Sequence, residues 1–447
     1  MSSSAEELAL ETFYLAARRV PAYQAILRER RISPAEIKNP DDFHRLPVLD
    51  KQSTFGRFAI PQLCLDGQLG DIASVLTSSG HSGLFAYGLA DRHAIHETTQ
   101  AIDDVLDCLF AVRSCPTLLI NCLPMGVKVH TRACALAETS VRPDMGLAIV
   151  KAFGPQFDQV ILVGDAAFVK LALELGQQTG LDWRQYRVHV VLGEELLAEN
   201  SRNYIHGILG SQIDRPETGL VFSSMGIAEI GLNLFFEAPP AAPLIRLRSR
   251  LHNDANLRRA VLGDCAWVPS LFTFNPGRVF VEFVDGDRLV VTTLGPSPHI
   301  PLVRYAPGDH GGFLQIPATM RDTLLTEACF AEMLDQLPLV AIRGRGQHAL
   351  AGRHKIYPEA IKEGIYRDPE LARLVTANFR LTSGPDYALV RLQLSPNIIP
   401  HPKLDRRFAE AIDFYADGPV RVVCQPYATF GSGMCLDYER KFDYLGP

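Results

Sequence analysis

Long apolar runs, paired cysteines and an excess of positive charge are all missing from this sequence of 447 residues. No apolar stretch approaches the roughly 18 residues of a membrane-spanning helix. The first 20 residues read as a capped amphipathic helix and not as a secretion signal. A net charge of -6 gives no basic surface for nucleic acid or anionic lipid. We therefore expect a cytoplasmic protein without a nucleic-acid or membrane partner.

The nine cysteines contain no Cys-x-x-Cys pair and are odd in number. This pattern favours scattered reduced thiols, mostly in apolar contexts. Apolar residues are plentiful, at 47% against 21% charged residues. A chain of this length and composition is expected to form two or more domains with substantial cores.

A run rich in serine and glycine, LTSSGHSGLFAYG at residues 76–88, stands between a strand-like segment and a helix capped by Asp91. Hydroxyl groups and glycine backbone amides suit an anion such as phosphate. A flexible surface turn is the alternative that composition alone would favour. The residues predicted to bind phosphate are Ser78, Ser79, Gly80, Ser82 and Gly83.

The run lacks the Gly-Lys-Ser/Thr ending of P-loop proteins, and Leu84 stands where a lysine might be expected. It resembles the phosphate loop of adenylate-forming enzymes, close to SSGTTGKP in the phenylacetate-CoA ligase-like branch. Residues 21–23 and 46–51 resemble the entry segment of the same branch. The resemblance implies an enzyme that uses ATP and Mg²⁺ to activate a carboxylic acid.

Strand-like and helix-like segments alternate from the loop to about residue 236. This order predicts an α/β fold with a largely parallel, helix-covered sheet and ligands at the carboxyl ends of the strands. After a proline- and alanine-rich segment at 238–243, the Asp285-Gly286 turn predicts a β-hairpin.

We predict a large N-terminal domain over residues 1–343, which includes a β subdomain at about 244–340. A small, mobile α+β domain is predicted over residues 344–447. The hinge is placed at 344–347 because Gly344-Arg345 resembles the family's joint, which implies rotation of the small domain. The family's hinge aspartate is not present, and Gly346 and Gln347 occupy that neighbourhood.

Glu229 follows a predicted strand and the turn Met225-Gly226. Mg²⁺ takes one or two protein carboxylates together with phosphate oxygens, so a single glutamate opposite a phosphate loop is sufficient. The alternative is a glutamate in the first turn of a helix, stabilised by the helix dipole. The resemblance implies that Glu229 binds the metal and serves catalysis, and that Met225 and Gly226 contact AMP.

Two further turns resemble nucleotide-binding motifs of the family. Asp309 follows a Pro-Gly turn and can accept hydrogen bonds from both ribose hydroxyls, although a plain turn aspartate is the alternative. Gly193-Glu194 resembles a Gly-Gly-Glu turn, which implies Glu194 at the adenine and Gly193 beside the acyl substrate. The start of a surface helix would explain the same residues. Arg345 is expected to touch the phosphate or ribose.

Two candidates complete the site. Lys441 stands where the family's small domain carries the lysine that neutralises charge at the α-phosphate, with Arg440 a competing candidate and a solvated charged tail the alternative. His130 is a candidate to close the acyl pocket, although a buried core histidine is the more common case.

The motifs together predict formation of an acyl-adenylate from ATP and a small carboxylic acid, followed by acyl transfer to CoA or a phosphopantetheinyl carrier protein. Two alternatives stay open. One is transfer to an amine or protein side chain, and the other is a degenerate homologue that binds nucleotide or acyl ligand without activating it.

Overall fold

The computed structural model describes residues 4–78, 83–124, 126–237, 243–295, 298–317, 337–345, 349–351, 354–430 and 444. The α-helices are α1 (Ala5–Arg19), α2 (Pro21–Arg30), α3 (Pro40–Phe43), α4 (Ile60–Leu63), α5 (Arg92–Phe110), α6 (Pro143–Phe153), α7 (Ala166–Gln178), α8 (Glu199–Leu209), α9 (Pro243–Asn253), α10 (Ala255–Leu262), α11 (Pro358–Tyr366), α12 (Pro369–Ala372) and α13 (Pro402–Asp413). No helix within these ranges combines the length and apolarity needed to span a membrane.

The described strands form two short two-stranded hairpins and two larger sheets. They are β1 (Ser74–Thr77), β2 (Tyr87–Ala90), β3 (Thr117–Asn121), β4 (Ala135–Glu138), β5 (Gln159–Gly164), β6 (Val188–Leu192), β7 (Val221–Ile227), β8 (Gly231–Phe236), β9 (Ser270–Phe274), β10 (Val279–Val284), β11 (Arg288–Thr293), β12 (Asp309–Phe313), β13 (Leu339–Arg345), β14 (Ala349–Ala351), β15 (His354–Ile356), β16 (Val375–Ser383), β17 (Ala388–Leu394) and β18 (Val420–Gln425).

Eleven of the described strands form one sheet in the order β10-β11-β12-β13-β9-β8-β7-β6-β5-β3-β4. Strands β7, β6, β5, β3 and β4 are parallel, which confirms the predicted α/β class. From β8 onward the pairing is antiparallel. The predicted β-rich segment is therefore the antiparallel continuation of the same sheet. Its Asp285-Gly286 turn joins β10 to β11, with positive φ at both residues, as predicted.

Helices cover both faces of the parallel half, which explains why β3 and β5 are buried along their whole length. On one face, alternate strand residues such as Ile120 and Leu162 pack in a core shared with α6, α7 and α8. On the other, Leu119 and Val163 pack in a core shared with α5 and Ile245 of α9. The Asp91 side chain accepts a hydrogen bond from the Ala94 amide and begins α5, as predicted.

The C-terminal part, residues 354–430, is joined to the rest of the chain through α11. All nine residues of α11 are buried, and the helix packs between α8 and α13. The core of this part, with Phe379 and Phe408 among its members, is continuous with the core beneath α7 and α8. A Cβ atom at Gly364 would lie 2.4 Å from the Ile412 Cα, so only glycine permits this approach of α11 to α13.

Replacement of Gly364 by Ala should therefore lower the free energy of unfolding by about 1 to 3 kcal/mol, because the backbone of α13 must shift. Gly207 is the matched control, since it lies inside α8 and a Cβ atom added to it would have no neighbour within 4 Å. Gly207→Ala should raise stability by about 0.4 to 1 kcal/mol through reduced freedom of the unfolded chain. Urea unfolding followed by circular dichroism measures both changes. Equal effects of the two substitutions would contradict the packing argument.

Candidate active site

A cavity of about 280 Å³ lies at the carboxyl ends of β5, β6 and β7. It has a polar end, formed by turns and by α11, and an apolar end beneath α5. The predicted site residues that line it are Ser78, Gly193, Glu194, Met225, Gly226, Glu229, Asp309 and Arg345. The fold thus brings together residues that are up to 267 positions apart in the sequence.

The remaining predictions are placed differently. Gly83 is described at the neck of the phosphate loop with φ of 73° but does not line the cavity. The lining passes through Val127, Lys128 and Val129 and does not include His130, whose role stays a prediction. The residues of the predicted loop, hinge and tail that lie outside the described ranges are Ser79, Gly80, Ser82, Gly346, Gln347, Arg440 and Lys441.

Glu229 lies in the turn between β7 and β8, so the alternative of a first-turn helix residue is wrong. Its side chain is only 8% exposed, and the Tyr305 hydroxyl donates a hydrogen bond of 2.5 Å to Glu229 Oε1. Burial and the Glu229 carboxylate raise the pKa of Tyr305 above its ordinary value, so the phenol stays a donor. Tyr305 thereby holds the carboxylate in one orientation.

The turn that carries Glu229 is also held by β2, which crosses it closely. A Cβ atom at Gly88 would lie 2.2 Å from the Ala228 carbonyl oxygen, so a side chain at position 88 would displace one of the two segments. Strand β2 pairs with β1, and the phosphate loop joins these two strands. The close approach therefore sets the distance between the loop and Glu229.

Lys51 contacts the predicted phosphate loop, and sequence reasoning did not assign it to the site. Its ammonium group donates to Ser78 Oγ at 3.1 Å, and Ser78 Oγ also accepts from the Ala86 amide at 2.9 Å. Lys51 lines the cavity beside Thr77 and Ser78. It thus brings a positive charge to a loop in which Leu84 replaces a lysine. The sequence signal that could have pointed to Lys51 is its place in the Asp50-Lys51 pair of the entry segment.

Asp309 and Arg345 face each other across the pairing of β12 with β13. Asp309 is buried at the first position of β12, directly after Gly308, whose φ of 102° makes the predicted turn. Glu194 lies in the turn after β6, with φ of 70°. It does not begin a helix, because α8 starts five residues later, so that alternative is wrong.

α11 contributes a cluster of ionisable groups to the cavity lining. Lys362 Nζ donates to Glu195 Oε2 at 2.7 Å, and the Tyr444 hydroxyl donates to the same oxygen at 2.6 Å. Glu359 is buried, and its Oε2 makes no hydrogen bond to the described residues. Burial raises the pKa of Glu359 to about 7, assisted by Glu195 and Asp309 and opposed by Lys362.

The resemblance of the motifs implies a magnesium ion. Within the described ranges, no three His, Cys, Asp or Glu side chains gather into a metal cluster. Mg²⁺ needs no such cluster, since it keeps several waters and binds one or two carboxylates together with phosphate oxygens. Tyr305 contacts Oε1 of Glu229 and leaves Oε2 for a cation, so the donor set fits the ion.

Glu359→Gln should change the pH dependence of stability. Between about pH 4.5 and 7 the folded chain keeps the Glu359 proton that the unfolded chain releases, so wild-type stability falls as pH rises. The amide removes this loss, and the advantage of the variant should grow across that window and stay constant above it. Urea midpoints at a series of pH values measure the effect. Glu410→Gln, at an exposed position of α13, should run parallel to wild type, and a parallel profile for Glu359→Gln would contradict the assignment.

No protein-family model matches the sequence, and no curated protein matches it. Among solved structures, the fold is similar to 2-hydroxyisobutyryl-CoA ligase in the postadenylation state in complex with R3-HIB-AMP, with a TM-score of 0.68, 12% identity, and coverage of 99% of this chain and 88% of that chain. The same ligase in complex with 2-HIB-AMP and CoA in the thioesterification state gives a TM-score of 0.54 at 13% identity, with the same coverages.

An anthranilate-CoA ligase in complex with anthranoyl-AMP gives a TM-score of 0.50 at 13% identity, over 83% of this chain and 66% of that chain. At these identities the comparison concerns the fold. The chain shares the fold of these CoA ligases, and its motifs resemble those of adenylate-forming enzymes.

Proposed function

We propose that this chain is an adenylate-forming acid–thiol ligase. A carboxylate oxygen of the acid attacks the α-phosphorus of ATP, the bond to pyrophosphate breaks, and an acyl-adenylate forms. A thiol sulfur of CoA or of a carrier-protein phosphopantetheine then attacks the acyl carbon, and AMP leaves. The observation that carries this proposal is the convergence of eight predicted residues on one cavity in a chain with this fold.

The polar end of the cavity offers partners for each part of ATP. Asp309 can accept from both ribose hydroxyls, and Arg345 across the same strand pair can bind a phosphate or ribose oxygen. Glu194 lines the same cavity and is the proposed adenine contact. Ser78 and Lys51 are proposed to bind the outer phosphates, because a hydroxyl and an ammonium group meet there.

Glu229 is proposed to hold Mg²⁺ through Oε2 while Tyr305 fixes Oε1. When bound, the ion would neutralise phosphate charge that develops during displacement of pyrophosphate. The contribution of this chain is the orientation of the carboxylate and its burial, which limits competition by water.

Lys441 is proposed as the second source of positive charge at the α-phosphate. It lies outside the described residues, but Tyr444, three positions later, lines the cavity and binds Glu195. The end of the chain is therefore a suitable place for a residue that acts on ATP. Arg440 stays the competing candidate.

The arrangement of the C-terminal part supports the adenylate-forming stage of the reaction. The same 2-hydroxyisobutyryl-CoA ligase gives TM-scores of 0.68 and 0.66 in the postadenylation state, 0.58 in an open conformation and 0.54 in the thioesterification state. We infer that the small domain, predicted to turn at residues 344–347, is oriented here for adenylation. Acyl transfer would then require it to turn.

Glu229→Gln should reduce acid-dependent exchange of pyrophosphate into ATP by at least about a hundredfold, because a neutral amide cannot offset the charge of Mg²⁺. Exchange is measured at limiting magnesium with a panel of acids. Glu410→Gln, exposed on α13, should retain wild-type exchange. Unchanged exchange in Glu229→Gln would remove this carboxylate from the metal site. If the wild type binds ATP but exchanges pyrophosphate with no acid, the degenerate homologue is favoured. Acyl transfer measured after addition of CoA, holo-carrier protein or amines identifies the acceptor.

Lys51→Ala should raise the KM for ATP by about tenfold or more, since a hydrogen bond to a charged group contributes about 1.5 to 3 kcal/mol. The variant is compared with Lys38→Ala, at an exposed lysine between the two parts of the entry segment, which should leave the KM unchanged. The exchange assay at saturating acid measures both values. An unaltered KM in Lys51→Ala would show that the lysine only supports the loop.

A further inference from the structure

The cavity extends from the Gly193-Glu194 turn into the space beneath α5. One face of this helix lines it, through Ile102, Val105, Leu106, Leu109 and Phe110. These residues follow the i, i+3, i+4, i+7, i+8 spacing of a single helical stripe. Leu106 and Phe110 are buried in the core shared with the sheet, whereas Ile102, Val105 and Leu109 are only partly buried where they line the cavity.

The opposite wall of this space is the sheet itself. Leu119 of β3, Val163 of β5, Val191 of β6 and Phe222 of β7 each reach the cavity. Strand β6 has a paired neighbour on either side, and the other four residues of β6 are buried. Val191 is half-buried only because the cavity reaches it. The apolar end is therefore a built slot between α5 and the sheet.

Among the described residues, these two walls contain no charged or hydrogen-bonding side chain. Lys128 also lines the cavity, but its side chain is exposed, which places it at the opening. A second carboxylate, hydroxyl or amide of a ligand in the slot would lose its hydration without gaining a partner, at a cost of several kcal/mol. Polar and dicarboxylic acids are disfavoured for this reason, whereas an alkyl chain gains free energy by leaving water.

The helical stripe sets the length of the slot. From Ile102 to Leu109, the last partly buried residue of the stripe, a helix rises about 10.5 Å, at about 1.5 Å per residue. An extended chain advances about 3.8 Å over three bonds, so about 10.5 Å accommodates roughly eight bonds. We propose that the acid activated at this site is a medium-chain fatty acid of roughly eight to ten carbons, with its alkyl chain between α5 and β3, β5, β6 and β7. This proposal rests on the proposed ligase function.

Pyrophosphate exchange with sodium butyrate, hexanoate, octanoate, decanoate and palmitate tests the chain length. We expect kcat/KM to rise by about fourfold per methylene up to roughly ten carbons, from about 0.8 kcal/mol per buried methylene, and then to stop rising. Val191→Phe should lower kcat/KM for decanoate at least tenfold and lower it for butyrate by a smaller factor. Val105→Phe fills the slot from the helix side and should lower kcat/KM for decanoate to a similar extent. Val423→Phe, at an exposed strand position, should change neither value.

The shift of the thermal unfolding midpoint by decanoate reports binding separately from activity. Exchange supported by phenylacetate or acetate but not by decanoate would overturn the inference and leave the ligase function standing. If no acid supports exchange while decanoate stabilises wild type and not Val191→Phe, the slot is upheld and the ligase function is wrong. Exchange that is independent of chain length, or decanoate activity unchanged in both Val191→Phe and Val105→Phe, would also overturn the inference.

Discussion

Four charged side chains with almost no exposure to solvent fix the start of α8 and the ends of β7 and β8. Arg202 pairs with both Glu199 and Glu237, and Arg248 lies 3.5 Å from Glu199. Glu237 also accepts a hydrogen bond of 2.8 Å from the Ser223 amide. Buried charges of this kind are tolerated only when each is paired, and removal of one partner typically costs about 3 to 5 kcal/mol. The turn that carries Glu229 is held between strands tied by this network.

The same helix end receives the C-terminal part of the chain. The Glu363 carboxylate accepts from the Glu199 and Asn200 amides at 2.7 and 2.9 Å, where the positive end of the α8 dipole favours an anion. Directly before Glu363 on α11, Lys362 pairs with Glu195. The rotation proposed for the predicted small domain would withdraw both charges from their partners. Any second arrangement must supply comparable contacts, because an unpaired buried charge would otherwise oppose the motion.

Much of the fold and part of the site could be predicted from local patterns. The alternation of strand-like and helix-like segments predicts the parallel sheet, and Asp285-Gly286 predicts the hairpin. Both are local signals, because the hydrophobic period and the turn chemistry are properties of neighbouring residues. Lys51 could not be assigned to the loop, since its contact with Ser78 depends on segments 27 residues apart. The continuation of the sheet through β9 to β13 was missed for the same reason. Pairing between distant strands leaves no periodic signal along the chain.

The two faces of the parallel sheet are packed to different degrees. Beneath α7 the packing is so close that a Cβ atom at Gly176 would lie 2.7 Å from the Trp183 ring. Beneath α5 the cavity leaves Val191 half-buried. Each 100 Å³ of unfilled apolar space in a core costs about 2.4 kcal/mol, a large part of the roughly 5 to 15 kcal/mol that stabilises a domain. Such space can persist where the other face supplies the stability and a ligand restores the lost contacts. The difference in packing therefore agrees with the proposal that the α7 side maintains the fold and the α5 side receives the substrate.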